Sequence, residues 1–135
     1  MNLDKSNYLE SSSEGKSSIY VVDDEPMLLE LALYILEPLG YQVEIFRDPK
    51  AALESFCSVE PLPALVITDY AMHSMNGMQL IEECRKVSPT QKILLISGTV
   101  DEHVYLNAPC KPDRFLAKPY RAKQLVDMVV DVLHD

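Results

Sequence analysis

Residues 64–77 of this 135-residue chain read ALVITDYAMHSMNG, an apolar run that stops on one aspartate, Asp69, and continues as a loop. A short run of Ala, Leu, Val and Ile that ends on an acid is typical of a buried strand. In open α/β sheets, ligands bind just beyond the carboxyl ends of the strands. The stretch therefore predicts that Asp69 presents its carboxylate at that edge of a sheet.

The flanking sequence repeats this pattern on both sides. Apolar runs predict strands at residues 19–22, 41–46, 64–68, 92–96 and 114–117. Helices are expected to begin at Pro26, at Asp48-Pro49 and after Gly77, and an amphipathic last helix carries its apolar side chains at Leu125, Met128, Val129, Val132 and Leu133. Each crossover between parallel strands takes a helix, so the alternation predicts a doubly wound α/β domain with a five-stranded parallel sheet.

The first helix is expected to carry an apolar face of Leu28, Ala32, Ile35 and Leu39, and to end at Pro38 and Gly40. Two segments depart from the alternation. Residues 1–17 are polar and serine-rich, and we expect a flexible tail ahead of a folded domain of residues 18–135. Residues 101–107 allow about two helical turns, but the prolines at 109 and 112 prevent a long helix.

The composition indicates one acidic domain. The chain carries 21 acidic and 12 basic residues, a formal net charge of −9, and 47% hydrophobic residues. This charge argues against nucleic acid or an anionic membrane surface as a direct partner and favours a cation and another protein. Neither a membrane span nor a signal segment is apparent, so we expect a cytoplasmic protein.

Cysteines and histidines show no metal-site spacing. The sequence contains no C-x-x-C pair, which favours free thiols in a reducing compartment. We expect the histidines to occupy surface positions rather than to bind metal. These residues are Cys57, Cys84, Cys110, His73, His103 and His134.

Polar residues follow four of the five predicted strands: Asp23 and Asp24, Asp69, Ser97, and Lys118. Parallel strands point the same way, so these side chains converge. Three carboxylates this close repel one another strongly unless a cation lies among them, and oxygen ligands favour Mg²⁺. Lys118 and Ser97 are placed to hold the oxygens of a phosphoryl group on Asp69.

Four motifs in this order resemble the receiver domain of two-component response regulators, in particular its single-domain chemotaxis members. They are Val22-Asp23-Asp24-Glu25-Pro26, Asp69 with Met72, Met75 and Gly77, Ile96-Ser97-Gly98, and Leu116-Ala117-Lys118-Pro119-Tyr120. The resemblance covers about residues 18–134 and implies a flavodoxin-like (βα)5 receiver fold.

The resemblance also implies the chemistry. Asp69 would accept a phosphoryl group from a histidine kinase or histidine phosphotransfer protein in a reaction that depends on Mg²⁺ or Mn²⁺. The implied metal ligands are Asp24, Asp69 and the backbone carbonyl of Ala71, with Asp23 acting largely through water. At most, the chain would catalyse its own phosphotransfer and dephosphorylation, so we do not expect an enzyme.

Lys118 would pair with the phosphoryl oxygens, and the resemblance implies a cis peptide bond between Lys118 and Pro119. Ser97 would move toward the phosphoryl group, and Phe115 would take the place of the family's switching aromatic residue.

The sequence departs from the family pattern at two places. His73 replaces the usual proline after Met72, which removes a restraint on the loop but no group that the chemistry needs. Residues 100–113 replace a regular fourth helix on the usual output face. Binding of the unknown downstream partner is therefore expected to differ from the family pattern.

We expect a receiver that acts alone, as a monomer or a phosphorylation-dependent dimer, and signals by protein–protein interaction or relays its phosphoryl group. One alternative is a receiver-like interaction module that is never phosphorylated. The other is a Mg²⁺-dependent phosphatase that forms an aspartyl phosphate. Such haloacid-dehalogenase-like enzymes place a second acid two residues after the nucleophile, where this chain has Ala71.

Overall fold

The computed structural model describes residues 17–98 and 106–135. Within them lie β1 (Ser18–Val22), α1 (Pro26–Leu36), β2 (Gln42–Phe46), α2 (Pro49–Ser58), β3 (Leu65–Asp69), α3 (Gly77–Val87), β4 (Ile93–Ser97), β5 (Arg114–Ala117) and α4 (Ala122–Leu133), with a short 3₁₀ turn at Glu37–Leu39. Residues 1–16 of the expected tail and residues 101–105 of the expected short helix at 101–107 lie outside the described residues.

The five strands form one parallel sheet in the order β2-β1-β3-β4-β5. This confirms the predicted doubly wound α/β fold. The order places β3 in the centre of the sheet, and its last residue is Asp69. The phosphoryl acceptor predicted from the sequence therefore lies at the carboxyl end of the central strand.

Helices cover both faces of the sheet, and alternate strand residues face two separate cores. Ile19 and Val21 of β1 belong to the core under α1 and α4, whereas Tyr20 and Val22 belong to the core under α2 and α3. This is the arrangement expected of a parallel sheet that is buried on both faces. No helix in the described part of the chain has the length and apolar character needed to cross a bilayer.

Local signals explain why the helices begin where they do. Proline occupies the first turn of α1 and of α2, and the Asp48 side chain accepts a hydrogen bond from Lys50 N at 3.1 Å. Helix α3 begins with a capping box, in which Asn76 Oδ1 accepts from Gln79 N at 2.9 Å and Gln79 Oε1 accepts from Asn76 N at 2.8 Å. These caps fix the ends of the loops that surround the site.

The structure confirms part of the apolar face predicted for α1: Ala32 is buried and Ile35 packs against the core, but Leu39 lies beyond the helix. The helix buries Leu29, Ala32 and Leu36, whereas Leu39 is 51% exposed. The helix reads PMLLELALYIL and is apolar on nearly every side, so periodicity fits more than one face. Contact with the sheet decides between them, and that contact is not visible in the sequence.

Candidate functional site

Three aspartates form an acidic pocket at the carboxyl ends of β1 and β3. Asp23, Asp24 and Asp69 each offer a carboxylate oxygen, and these oxygens lie within 4.8 Å of one another. Asp23 and Asp69 are buried, each 6% exposed. The backbone holds Asp23 in place, because its N–H donates to Phe46 O at 3.0 Å and its Oδ1 accepts from Glu25 N at 2.9 Å.

Lys118 brings a positive charge into this pocket from the end of β5. Its Nζ lies 3.2 Å from Asp69 Oδ1, 3.4 Å from Asp23 Oδ2 and 3.6 Å from Glu25 Oε1. Its backbone N–H donates to Ser97 O at 3.0 Å. The peptide bond between Lys118 and Pro119 is cis, as expected. One ammonium group is thus shared among three carboxylates.

The pKa shifts reflect this crowding. Burial, followed by the charge of Asp23, raises the pKa of Asp69 above its ordinary value although Lys118 opposes the shift. Burial likewise raises the pKa of Asp23. For Lys118, burial alone would lower the pKa, but the charges of Asp23 and Asp69 outweigh burial and raise it. The pocket therefore holds more negative charge than one lysine neutralises.

The residues present suit a divalent cation. Their donor atoms are carboxylate oxygens at the end of a buried sheet, and hard cations such as Mg²⁺ bind to oxygen ligands of this kind. A second positive centre would also offset the burial cost of two ionised aspartates. The family expectation of a Mg²⁺ or Mn²⁺ site is therefore compatible with the pocket.

The loop after β3 is tied closely to the sheet. Tyr70 N donates to Ile96 O at 2.9 Å, and Gly77 N donates back to Tyr70 O at 2.8 Å. A Cβ on Gly77 would lie 2.5 Å from Asp69 O, so only glycine fits there without movement of the backbone beside the acceptor. Ala71, the predicted carbonyl ligand, lies in this loop and is exposed.

Ser97 and Phe115, the predicted switch residues, lie on neighbouring strands. Ser97 is the last residue of β4, is 2% exposed and pairs with Ala117 of β5 in the sheet register. Phe115 is half-buried and packs against the core under α2 and α3. The structure thus brings Ser97 to the same sheet edge as Asp69 and places Phe115 two residues further back along β5.

Two residues near the pocket were not assigned to the site from the sequence. Glu25 Oε1 lies 3.6 Å from Lys118 Nζ. His73 was expected to be a surface residue, and its side chain is 92% exposed, but its Nδ1 lies 3.1 Å from Asp24 Oδ2. The available signal was position alone: Glu25 follows the aspartate pair, and His73 lies four residues after Asp69.

Comparison with known proteins identifies the family. The family model described as the response regulator receiver domain matches residues 19–130. The DNA-binding response regulator MtrA of Mycolicibacterium smegmatis is 29% identical over 114 residues, which are 84% of this chain and 49% of that protein. The sensor kinase CckA of Brucella abortus is 29% identical over 120 residues, which are 88% of this chain and 13% of the kinase. The chain spans half or less of these two relatives.

Solved structures agree with the family match. A CheY-like response regulator receiver domain protein from Methanospirillum hungatei superimposes with a TM-score of 0.80 and 26% identity, covering 88% of this chain and 94% of that one. The BeF₃-activated DrrB receiver domain shares the fold with a TM-score of 0.78 at 20% identity, covering 89% of this chain and 99% of that one. With its parallel sheet and acidic edge, the chain belongs to the response regulator receiver domain family of two-component systems.

Proposed function

We propose that this chain accepts a phosphoryl group on Asp69 from a histidine kinase or histidine phosphotransfer protein and signals through a change in protein–protein contacts. One observation carries the proposal. The Asp69 carboxylate lies at the end of the central strand, 3.2 Å from the Lys118 ammonium and within 4.8 Å of two further carboxylates. The proposed nucleophile, its counter-charge and the proposed cation site would therefore share one pocket.

In the proposed transfer, an Asp69 carboxylate oxygen attacks the phosphorus of a phosphohistidine. A P–O bond forms, the P–N bond breaks, and its electron pair leaves with the imidazole nitrogen. Lys118 exchanges part of its contact with carboxylates for contact with the transferred oxygens, and Ser97 donates its hydroxyl to them.

The proposed cation site comprises Asp24, Asp69 and the Ala71 carbonyl, with Asp23 beside them. A bound Mg²⁺ or Mn²⁺ supplies positive charge that offsets the carboxylates and the phosphoryl oxygens. Burial raises the pKa of Asp69 and so disfavours its ionised form, which is the nucleophile. A nearby cation would favour that ionised form.

We further propose that the phosphoryl donor docks on α1. A donor must bring its histidine to Asp69, so it must also contact the surface around the pocket. The first turn of α1 follows the acidic loop directly, and the helix exposes Met27 (81%), Leu31 (42%) and Tyr34 (80%) at helical spacing. An exposed apolar stripe is typical of a protein-binding surface. Its proposed occupant is the helical, histidine-bearing part of the donor.

Signal output is proposed to begin at Ser97 and Phe115. Movement of Ser97 toward a phosphoryl group would change the packing beside β5, and a half-buried Phe115 can adopt a second packing at small cost. The receiver is proposed to comprise residues 18–135, after a tail of residues 1–17. It would act on an unknown downstream protein as a monomer or as a phosphorylation-dependent dimer.

The test is incubation of the full chain with acetyl phosphate and Mg²⁺, followed by intact-mass measurement. We expect a single phosphoryl adduct that is absent in Asp69→Asn and in metal-free buffer, and that persists in the control Asp127→Asn, whose carboxylate lies on the exposed side of α4. A chain that never gains the adduct would instead be a bare interaction module. A chain that hydrolyses many equivalents of acetyl phosphate would be a phosphatase.

The donor surface needs its own test. Met27→Ser and Tyr34→Ser should slow transfer from a phosphohistidine protein while leaving labelling by acetyl phosphate unchanged, because the small donor needs no docking surface. Val87→Ser is the matched control, since Val87 is a 46% exposed apolar residue at the far end of α3. Equal rates for all variants with the protein donor would refute the α1 surface.

A further inference from the structure

We propose that the phosphoryl donor presents a basic surface to α1, with lysine or arginine side chains around its phosphohistidine. The inference rests on the proposed function, because it concerns the protein that delivers the phosphoryl group to Asp69. It adds complementary charge to the apolar contact already proposed for Met27, Leu31 and Tyr34.

The acidic loop, α1 and β2 together contain no basic residue. Residues 23–46 read DDEPMLLELALYILEPLGYQVEIF, without lysine, arginine or histidine. The acids in this stretch are Asp23, Asp24, Glu25, Glu30, Glu37 and Glu44. The other helices that the structure describes carry basic residues, namely Lys50 in α2, Arg85 and Lys86 in α3, and Lys123 in α4. Among the described helices, α1 alone therefore lacks a positive charge.

The negative charge of α1 lies within its exposed apolar stripe. Four exposed residues have the spacing i, i+3, i+4 and i+7 of one helix face: Met27, Glu30, Leu31 and Tyr34. Glu37 is also exposed and follows three residues after Tyr34. A protein that covers the stripe must therefore also lie against the glutamates.

These glutamates have no counter-charge within the described part of the chain. Neither Glu30, Glu37 nor Glu44 forms an ion pair there. The exposed acid Asp127 on α4 differs, because Lys123 Nζ lies 2.7 Å from its Oδ2. The carboxylates of the α1 surface are thus available to cations that a partner brings.

The charge of the phosphoryl group makes the same demand on the partner. The donor must carry a negative group to an edge where Lys118 already faces several carboxylates. Basic residues around its histidine would offset that repulsion and would be attracted to Glu30 and Glu37, which speeds encounter. A second copy of this chain would instead place the same glutamates against each other. The charges therefore favour a basic donor over self-association through α1.

The experiment compares two synthetic helical peptides that each carry one phosphohistidine among the same apolar residues. One peptide has lysines at the flanking positions, and the other has glutamates there. Transfer to the full chain is followed by intact-mass measurement. We expect the basic peptide to phosphorylate Asp69 about tenfold faster at low salt. The ratio of the two rates should fall as salt is added, because salt screens exposed charges.

Charge reversal on α1 tests the surface itself. Glu30→Lys should slow transfer from the basic peptide about threefold and speed transfer from the acidic one, with a smaller change in Glu30→Gln. Glu54→Lys is the matched control, because Glu54 is an exposed glutamate on α2, which packs on the other face of the sheet. It changes the net charge equally and should leave both rates unaltered. Labelling by acetyl phosphate should be the same in all three variants.

Several results would overturn the inference. Equal rates from the two peptides would do so, as would no transfer from either while acetyl phosphate labels Asp69. An equal effect of Glu54→Lys and Glu30→Lys would show that net charge acts without a docking surface. A dimer of the unaltered chain in sedimentation, dissociated by Tyr34→Ser, would show that a second copy occupies α1.

Acetyl phosphate separates this inference from the proposed function. If the unaltered chain gains no adduct on Asp69 from acetyl phosphate, the proposed phosphoryl acceptor is wrong and both proposals fall. If that labelling is normal and the two peptides react at equal rates, only the basic donor surface is refuted.

Discussion

The two edges of the sheet hold polar groups in opposite ways. At the amino edge, Arg85 and Asp113 form one ion pair, with Arg85 Nη2 2.9 Å from Asp113 Oδ2. The same oxygen accepts from Ile93 N at 2.8 Å, and Gln91 Nε2 donates to Pro63 O at 3.0 Å. In this cluster Arg85 and Asp113 are matched one to one, and the side chains join the starts of β3, β4 and β5.

At the carboxyl edge, one ammonium group faces several carboxylates. Lys118 contacts Asp23, Glu25 and Asp69, while Asp24 lies beside His73. Burial raises the pKa of both Asp23 and Asp69, which means that the folded chain disfavours their charged forms. A network in which each charge is paired stabilises the fold. A network with excess carboxylates can bind a cation beside an aspartate that accepts a phosphoryl group. The contrast makes four predictions, described from the largest effect to the smallest.

Adding Mg²⁺ should produce the largest change, and it should act through the carboxyl edge only. At one hundred times its dissociation constant, a ligand of the folded state raises the free energy of unfolding by about 2.7 kcal/mol. We expect this gain in urea unfolding of the unaltered chain. The gain should persist in Arg85→Met and be lost in Asp69→Asn. An equal gain in Asp69→Asn would show that Mg²⁺ binds elsewhere.

Removal of the amino-edge cation should be the next largest effect. Arg85→Met leaves Asp113 without its ion pair, so we expect a loss of about 2 kcal/mol in the free energy of unfolding, with acetyl phosphate labelling intact. Lys86→Met is the control, because Lys86 is 65% exposed and pairs with Glu83 on the surface, where an ion pair contributes little. Similar losses in both variants would contradict the matched-network interpretation.

Neutralising an acid at the carboxyl edge should increase the stability of the fold rather than reduce it. In metal-free buffer at neutral pH, Asp23→Asn removes a buried charge whose ionised form the fold disfavours. We expect the melting temperature to rise by a few degrees. Asp48→Asn should leave it unchanged, since asparagine caps a helix as well as aspartate does. A fall in the melting temperature of Asp23→Asn would refute the charge imbalance.

The pH dependence should be the smallest effect measured. Because the pKa of Asp23 and Asp69 is raised in the folded state, that state binds more protons than the unfolded chain between the ordinary value of 3.8 and the raised one. Across this window these two groups lower the stability of the metal-free chain as pH rises.

Urea unfolding of the unaltered chain and of Asp23→Asn at several pH values measures this contribution. The advantage of Asp23→Asn should be absent at about pH 3 and should grow as the pH rises above the ordinary value of 3.8. Parallel stability curves for the two proteins would show that Asp23 does not titrate as described.

Much of the carboxyl edge follows from sequence, because strand ends in a parallel sheet converge wherever they lie along the chain. The ends of β1, β3, β4 and β5 could be located from apolar runs, and so could Asp23, Asp69, Ser97 and Lys118. The ion pair at the amino edge could not be predicted from the sequence. Arg85 and Asp113 are 28 residues apart, and neither belongs to a recognisable motif.

The direction of individual side chains was the other feature that could not be predicted from the sequence. The buried face of α1 could not be selected because its sequence is apolar on most sides, and the contact between His73 and Asp24 depends on how the loop after β3 turns. Both are decided by packing between distant segments. The assigned roles of Ser97 and Phe115 remain predictions.

The strand order has a further consequence for exchange of backbone amides with solvent. Among the residues that the structure describes, β3 has a neighbouring strand on each side, whereas β5 lies at an edge of the sheet and pairs with β4 alone. Amides of β3 should exchange by global unfolding and those of β5 by easier local opening. Asp69 thus ends a strand that we expect to open only with the whole fold, and Lys118 follows a strand that we expect to open more easily. Local opening of β5 would then move the counter-charge away while Asp69 stays in place.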